Sequence, residues 1–158
     1  MKKFWLSALA CALVACGAAG GTPDPQASDL LSAPTTLNRQ GHVLSARSTV
    51  TLYGGGLGVR VQVGATAPGR AGAAASLSGL TLDGVFVVTG TGVWKAPLRT
   101  SPAGQTSLGT LNAAAWSGSG DLRPGSGVQV VVRLKDRLGH AYWLRDTTRA
   151  SGSPAPLN

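Results

Sequence analysis

The sequence of 158 residues contains no glutamate and no isoleucine, and charged residues make up only 13% of it. Aromatic residues are also scarce, at 5%, whereas glycine occurs 23 times. A chain poor in long helix-forming residues and rich in Gly, Val and Thr favours an all-β domain with many turns. Without glutamate, the groups available for proton transfer are few, so the composition favours a non-enzymatic protein.

Only two cysteines are present, and both lie near the N-terminus, at Cys11 and Cys16. There, Lys2 and Lys3 precede about eleven largely apolar residues that end in small ones, which is the layout of a secretory signal peptide. The apolar stretch is too short for a membrane-spanning helix, which needs about 20 residues. The sequence therefore predicts export and removal of residues 1–15.

The end of this leader, residues 13–16 (Leu-Val-Ala-Cys), resembles the lipobox of bacterial lipoproteins. The resemblance implies diacylglyceryl transfer to the sulfur of Cys16 and cleavage between Ala15 and Cys16 by the lipoprotein signal peptidase. Acyl chains would then anchor the protein to a bacterial membrane, at its periplasmic or outer face. The alternative is that Cys16 is incidental and an ordinary signal peptidase cuts nearby. With Cys11 removed and Cys16 acylated, no thiol remains for a disulfide, for catalysis or for a metal site.

Composition divides the rest of the chain into three parts. Residues 16–40 carry the lipidated cysteine and a Pro-, Gly- and Ala-rich stretch typical of a flexible tether. Residues 41–150 form the predicted domain, and residues 151–158 form a tail that we expect to be disordered.

Within the domain, apolar residues alternate with polar ones over residues 57–63 and 128–135. Such alternation predicts strands with one buried and one wet face. Further strands are predicted at 43–53, 80–82, 85–88, 93–98, 108–111, 113–116 and 141–145, with Asp83-Gly84 as a hairpin turn and Asp136 to Gly139 as another. Residues 71–75 are interpreted as a loop, since glycines flank them. This pattern predicts a single antiparallel β-sandwich, loosely resembling immunoglobulin-like and fibronectin type III-like domains, with a small β-barrel as the alternative.

Two candidate sites follow from the side chains. His140 and Asp136 flank one turn and could orient a general base with a loop serine, which would make the protein a small envelope hydrolase. Alternatively, an exposed Trp143 close to Arg133 and Arg145, with Arg60, could form a surface that binds a glycan or another anionic polymer. Without Lys2 and Lys3 the formal charge falls from +8 to +6, which is compatible with this surface and also with a basic but otherwise unremarkable soluble domain.

No metal-ligand repeat, phosphate-binding loop or nucleic-acid-binding motif occurs, so the sequence predicts no cofactor, no metal and no nucleic-acid partner. The expected partners are the membrane, through Cys16, and an envelope protein or glycan. The preferred hypothesis is a lipid-anchored binding, adaptor or structural module of the cell envelope.

Overall fold

The computed structural model describes residues 24–53, 56–66, 70–96, 110–118 and 122–152. The predicted signal peptide, Ala15, Cys16 and residues 153–158 lie outside these ranges. The elements within them are, in chain order, α1 (Ala27–Leu31), β1 (Thr36–Arg39), β2 (His42–Tyr53), β3 (Gly56–Thr66), α2 (Arg70–Leu77), β4 (Thr81–Thr89), β5 (Gly92–Ala96), β6 (Thr110–Gly118), β7 (Gly127–Lys135) and β8 (Ala141–Gly152).

The strands belong to one strongly curled sheet with the shape of a half-barrel, so the prediction of an all-β protein is confirmed. Its strand order is β5-β4-β7-β8-β2-β3-β6, with β1 paired to β2 outside this path. Neighbouring strands are antiparallel except β2 and β8, which pair in parallel from Val50 with Ala150 to Leu52 with Gly152. The curl gives the sheet a concave inner side, and this inner side is apolar.

The inner side of the curl holds the main core. Alternating residues of β3 and β7 point into it, as the period-two pattern predicts, and Val63, Val130, Val132 and Leu134 are fully buried there. Burying an aliphatic side chain of this size stabilises the fold by about 1.5–3 kcal/mol. Because both β3 and β7 contribute, the two halves of the sheet are held against each other by the same core.

A second, smaller core lies on the outer side of β4 and β7, under α1. Leu30 of α1 is only 1% exposed, and it packs with Ala33, Phe86, Val88 and Val131. This part of the predicted tether, residues 24–40, therefore contributes α1 and β1 to the folded domain. The compositional argument missed it because one buried leucine in a polar stretch produces no periodic signal.

The predicted hairpin at Asp83-Gly84 is wrong, because β4 runs through both residues as one strand. Its pairing with β7 shifts register between Leu82 and Gly84, which marks a β-bulge. The Asp83 carboxylate pairs with Arg133 at 2.5 Å on the neighbouring strand. An ion pair across the sheet, between Asp83 and Arg133, thus accompanies the extended conformation of a dipeptide that more often forms a turn.

The predicted loop at residues 71–75 is also corrected, since these residues belong to α2. Ala73, Ser76 and Leu77 are buried at helical spacing, against β3 and β6. The Ser76 hydroxyl donates a hydrogen bond to the carbonyl oxygen of Gly72, at 2.9 Å. Tertiary packing therefore outweighs the low helix propensity of Gly72, which costs about 1 kcal/mol.

Two tight turns fix the hairpins that matter for the sites below. Between β1 and β2, Gln40 and Gly41 have φ values of 51° and 78°, as a type I′ hairpin turn requires. Between β7 and β8, the predicted turn at residues 136–139 is confirmed, with the N–H of Asp136 donating to the carbonyl oxygen of His140 at 3.1 Å. From residue 110 onward, the predicted strands at 108–111 and 113–116 form one strand, β6, whereas residues 108 and 109 lie outside the described ranges. Residues 151–152 of the predicted tail extend β8.

Candidate anion-binding face of the sheet

The outer side of β2, β3 and β6 is an open, polar surface. Because side chains alternate along a strand, the valines that face the core leave their neighbours outside. We call this surface the basic face, and its members are Arg47, Thr49, Thr51, Arg60, Gln62 and Asn112. The register places Arg47 opposite Gln62 and Arg60 opposite Thr49. Arg47 and Arg60 are therefore diagonal neighbours on adjacent strands.

A groove of about 500 Å³ runs over the basic face. A second hollow of about 210 Å³ adjoins it, shares Thr49, Arg60 and Ala114 with it, and extends toward Tyr53. Ala114 of β6 lines both hollows and Gly58 of β3 lines the second, and their small size leaves space between the longer polar residues. Its shape suits an extended ligand lying across the strands.

Charge on the basic face has one sign. Arg47 and Arg60 are exposed, and neither guanidinium forms an ion pair or a hydrogen bond with another described residue. Arg149 is exposed as well, immediately before Ala150, whose register partner is Val50. None of the five aspartates in the described ranges lines either hollow. A guanidinium without a protein partner is well suited to bind a carboxylate or a phosphate.

The binding surface predicted around Trp143 is partly assembled, but its groups are already used within the fold. Arg133 lies 5.7 Å from the ring centroid of Trp143 and pairs with Asp83. Trp143 packs on Phe86 at 5.4 Å between ring centroids, beside the core under α1.

The other two arginines of that predicted surface, Arg145 and Arg60, lie in different parts of the sheet. Arg145 donates from Nε to the carbonyl oxygen of Ala33 at 3.1 Å, which ties β8 to the segment after α1. Arg60 is not part of this cluster. It lies two strands away on β3, near the other end of β8, and belongs with Arg47.

The predicted pair His140 and Asp136 is brought together, with Nδ1 of His140 3.0 Å from Oδ2 of Asp136. The Asp136 carboxylate also accepts hydrogen bonds from the backbone N–H groups of Leu138 and His140, both at 2.9 Å, and from the Tyr142 hydroxyl at 3.0 Å. Desolvation raises the pKa of Asp136, but these hydrogen bonds outweigh it and lower the pKa to about 2. The same carboxylate raises the pKa of Tyr142 above its usual value, chiefly through that hydrogen bond.

This arrangement stabilises a turn. No described serine is hydrogen-bonded to His140, whose side chain is 64% exposed. Asp136, by contrast, is 11% exposed and uses both oxygens on the turn and the start of β8. Because four donors bind its carboxylate, Asp136 serves to stabilise the β7–β8 hairpin.

Two absences are observed over the part of the chain that the structure describes. These residues contain no cluster of three or more His, Cys, Asp or Glu side chains that could hold a metal ion. Neither described helix has the length and apolar character needed to cross a membrane.

In comparisons with known proteins, no family model and no curated protein matches the chain.

Proposed function

We propose that the protein is a lipid-anchored, non-enzymatic module of a bacterial cell envelope that binds an anionic glycan through the basic face. The observation that carries this proposal is the diagonal pair Arg47 and Arg60, which lie on an open groove without a carboxylate partner among the described residues. Two guanidinium groups on adjacent strands can each engage an acidic group of one extended polymer.

The other members of the basic face suit a sugar chain. Thr49, Thr51, Gln62 and Asn112 offer hydroxyl and amide groups, which both donate and accept hydrogen bonds as sugar hydroxyls require. Tyr53, at the far end of the adjoining hollow, is 41% exposed and presents an aromatic ring to the same surface. A linear glycan with carboxylates or phosphates meets all of these groups at once.

Anchoring through Cys16 belongs to the same proposal and is supported by the lipobox resemblance. Cys16 precedes Asp24, the first described residue, by eight positions, a link that spans at most about 30 Å. The domain would therefore stay close to the membrane surface, where envelope polymers are concentrated.

The proposal also includes the finer fold, an immunoglobulin-like sandwich. Its support is the shared core: Val59 and Val61 from β3 pack in one cluster with Val85 and Val87 from β4. In this view the β2-β3-β6 half and the β4-β7-β8 half of the curled sheet act as the two layers, and the basic face is the outer surface of one layer.

Binding of polygalacturonate to the purified lipidated protein tests the function. We expect saturable binding that weakens as salt is added, no binding of neutral dextran, and at least about tenfold weaker binding in the double variant Arg47→Gln/Arg60→Gln. The matched control, Lys95→Gln/Arg123→Gln, removes two exposed charges that line neither hollow of the basic face and should change affinity by less than about threefold. Equal losses in the two double variants would mean that net charge alone drives binding, and absence of polygalacturonate binding would refute the proposal.

A further inference from the structure

A separate cleft lies at one end of the sheet, away from the basic face. It forms where the β1–β2 hairpin, the β7–β8 hairpin and the residues after α2 meet. Its volume is about 190 Å³, and it is lined by Arg39, Ser78, Gly79, Asp136, Arg137 and Leu138. We call it the hairpin cleft. Three observations about its lining residues point to a ligand.

The first observation is that the single carboxylate of the hairpin cleft is already satisfied. Both oxygens of Asp136 accept hydrogen bonds, from two backbone N–H groups and from the side chains of His140 and Tyr142. Neither arginine of the cleft forms an ion pair with it. Asp136 keeps its negative charge, so the two arginines and this carboxylate leave the described lining of the cleft with a net charge of +1, and neither guanidinium is paired with the carboxylate.

The second observation concerns Arg39. Its Nη1 atom is buried and has no hydrogen-bond partner among the described residues. The guanidinium carbon lies 6.0 Å from the ring centroid of Tyr142, a contact that holds the side chain in place. Buried polar groups are almost always hydrogen-bonded, and leaving a charged donor unpaired is costly. The other nitrogens of this guanidinium stay accessible and form no hydrogen bond with another described residue, so an acceptor bound in the cleft can pair with them.

The third observation is that Arg137 reaches the cleft from the opposite hairpin, along the backbone of Gly79. A Cβ atom at Gly79 would lie 3.2 Å from Nε of Arg137, so a side chain there would push the arginine aside. Gly79 also has a φ of +75°, which favours glycine. Next to it, the Ser78 hydroxyl makes no hydrogen bond to another described residue and adds a neutral donor.

From these observations we infer that the hairpin cleft binds a small oxyanion group, a phosphate or a carboxylate. The inferred acceptors are oxygens that take hydrogen bonds from the accessible nitrogens of the Arg39 guanidinium, from the guanidinium of Arg137 and from the Ser78 hydroxyl. This site does not depend on the basic face, because the two surfaces share no residue.

Nuclear magnetic resonance of the full chain resolves the two sites. Inorganic phosphate and acetate are titrated separately while the side-chain Nε–H signals of all arginines are followed. We expect saturable shifts of the Arg39 and Arg137 signals at millimolar concentrations of at least one anion, consistent with a site of about −4 kcal/mol. Saturation by phosphate alone, or by acetate alone, supports the site and identifies the chemical class of its ligand.

Variants decide whether the cleft itself is responsible. Arg39→Gln and, separately, Arg137→Gln should each weaken binding at least about tenfold, whereas Arg47→Gln/Arg60→Gln should leave it unchanged. Arg137 is exposed, so its variant keeps the test valid if Arg39→Gln does not fold. Absence of saturable shifts with both anions, or unchanged titrations in Arg137→Gln, would overturn the inference. Loss of glycan binding in the basic-face variant bears on the proposed function alone.

Discussion

Asp146 on β8 accepts two hydrogen bonds from Ser48 on β2, one from its backbone N–H and one from its hydroxyl, both at 2.6 Å. Along this edge β2 pairs with β1 at residues 42–45 and with β8 at residues 50–52. Ser48 falls between the two ladders, where no strand partner is in register. The Asp146 carboxylate therefore supplies the acceptor that a neighbouring strand would otherwise provide.

Replacing Asp146 with alanine should destabilise the protein by about 2–4 kcal/mol, because two hydrogen bonds to a charged group are lost and a partly buried N–H is left unpaired. Ser48→Ala removes one bond and should cost about 1 kcal/mol. Urea denaturation measures both. Thr147→Ala, which removes an exposed hydrogen bond to Gln129 from the adjacent residue, is the control. Equal destabilisation by Asp146→Ala and Thr147→Ala would contradict this role.

The hydrogen bonds to Asp136 make the stability of the fold depend on pH. The pKa of this carboxyl is lowered in the folded state to about 2, from an ordinary value of 3.8. Its contribution is therefore fully present above pH 3.8 and is lost as pH falls toward 2, because the unfolded chain takes up the proton first. Denaturation midpoints measured between pH 5 and pH 2 should fall more in the wild-type protein than in Asp136→Asn. Parallel curves for the two proteins would show that Asp136 contributes nothing to acid sensitivity.

The raised pKa of Tyr142 predicts a second effect at the opposite end of the pH range. A group with a raised folded-state pKa stabilises the protein below its ordinary value, here 10.0, and loses that contribution as pH rises through the raised value. Alkaline denaturation above pH 10 should accordingly be steeper in the wild-type protein than in Tyr142→Phe. A spectrophotometric titration of the tyrosines checks the direction of the shift independently.

Helix α1 offers a matched pair of leucines that tests whether it belongs to the folded domain. Leu30 is 1% exposed and Leu31 is 42% exposed. Leu30→Ala should lower the free energy of unfolding by about 2–4 kcal/mol, because it opens a cavity against Phe86 and Val131. Leu31→Ala should change it by less than about 1 kcal/mol. Similar small effects of both variants in urea denaturation would mean that α1 contributes little to folding.

The strands that the sequence predicts well are those with one apolar face. In β3 and β7 the pattern alone locates the buried valines, since a strand between core and solvent must alternate. The wrong predictions fall where the local structure depends on a contact with a residue that is distant in sequence. Asp83-Gly84 stays extended because Arg133 pairs with it across the sheet, and α2 forms because β3 and β6 cover Leu77. Neither partner is near in sequence.

The distance in sequence between contacting residues also explains which candidate sites could be predicted. His140 with Asp136, and Trp143 with Arg133, belong to one hairpin, so sequence proximity was enough to pair them. The basic face depends on the register between β2 and β3, in which Arg60 lies opposite Thr49. The hairpin cleft is harder still to predict from the sequence, because its two arginines come from separate hairpins that only the folded structure brings together. Charge in the sequence indicates that a basic surface exists, but pairing determines where it lies.

Anchoring through Cys16 can be tested by a pair of cysteine variants in the same leader. Cys16→Ala removes the sulfur that would accept the diacylglyceryl group, so we expect an unprocessed precursor or a released species in place of the membrane-bound protein. Cys11→Ala lies inside the apolar stretch and should be processed like the wild type. Membrane fractionation with mass spectrometry of the N-terminal peptide distinguishes the outcomes. Normal membrane retention and processing of Cys16→Ala would refute the lipobox interpretation and leave the glycan-binding proposal to be judged on the basic face alone.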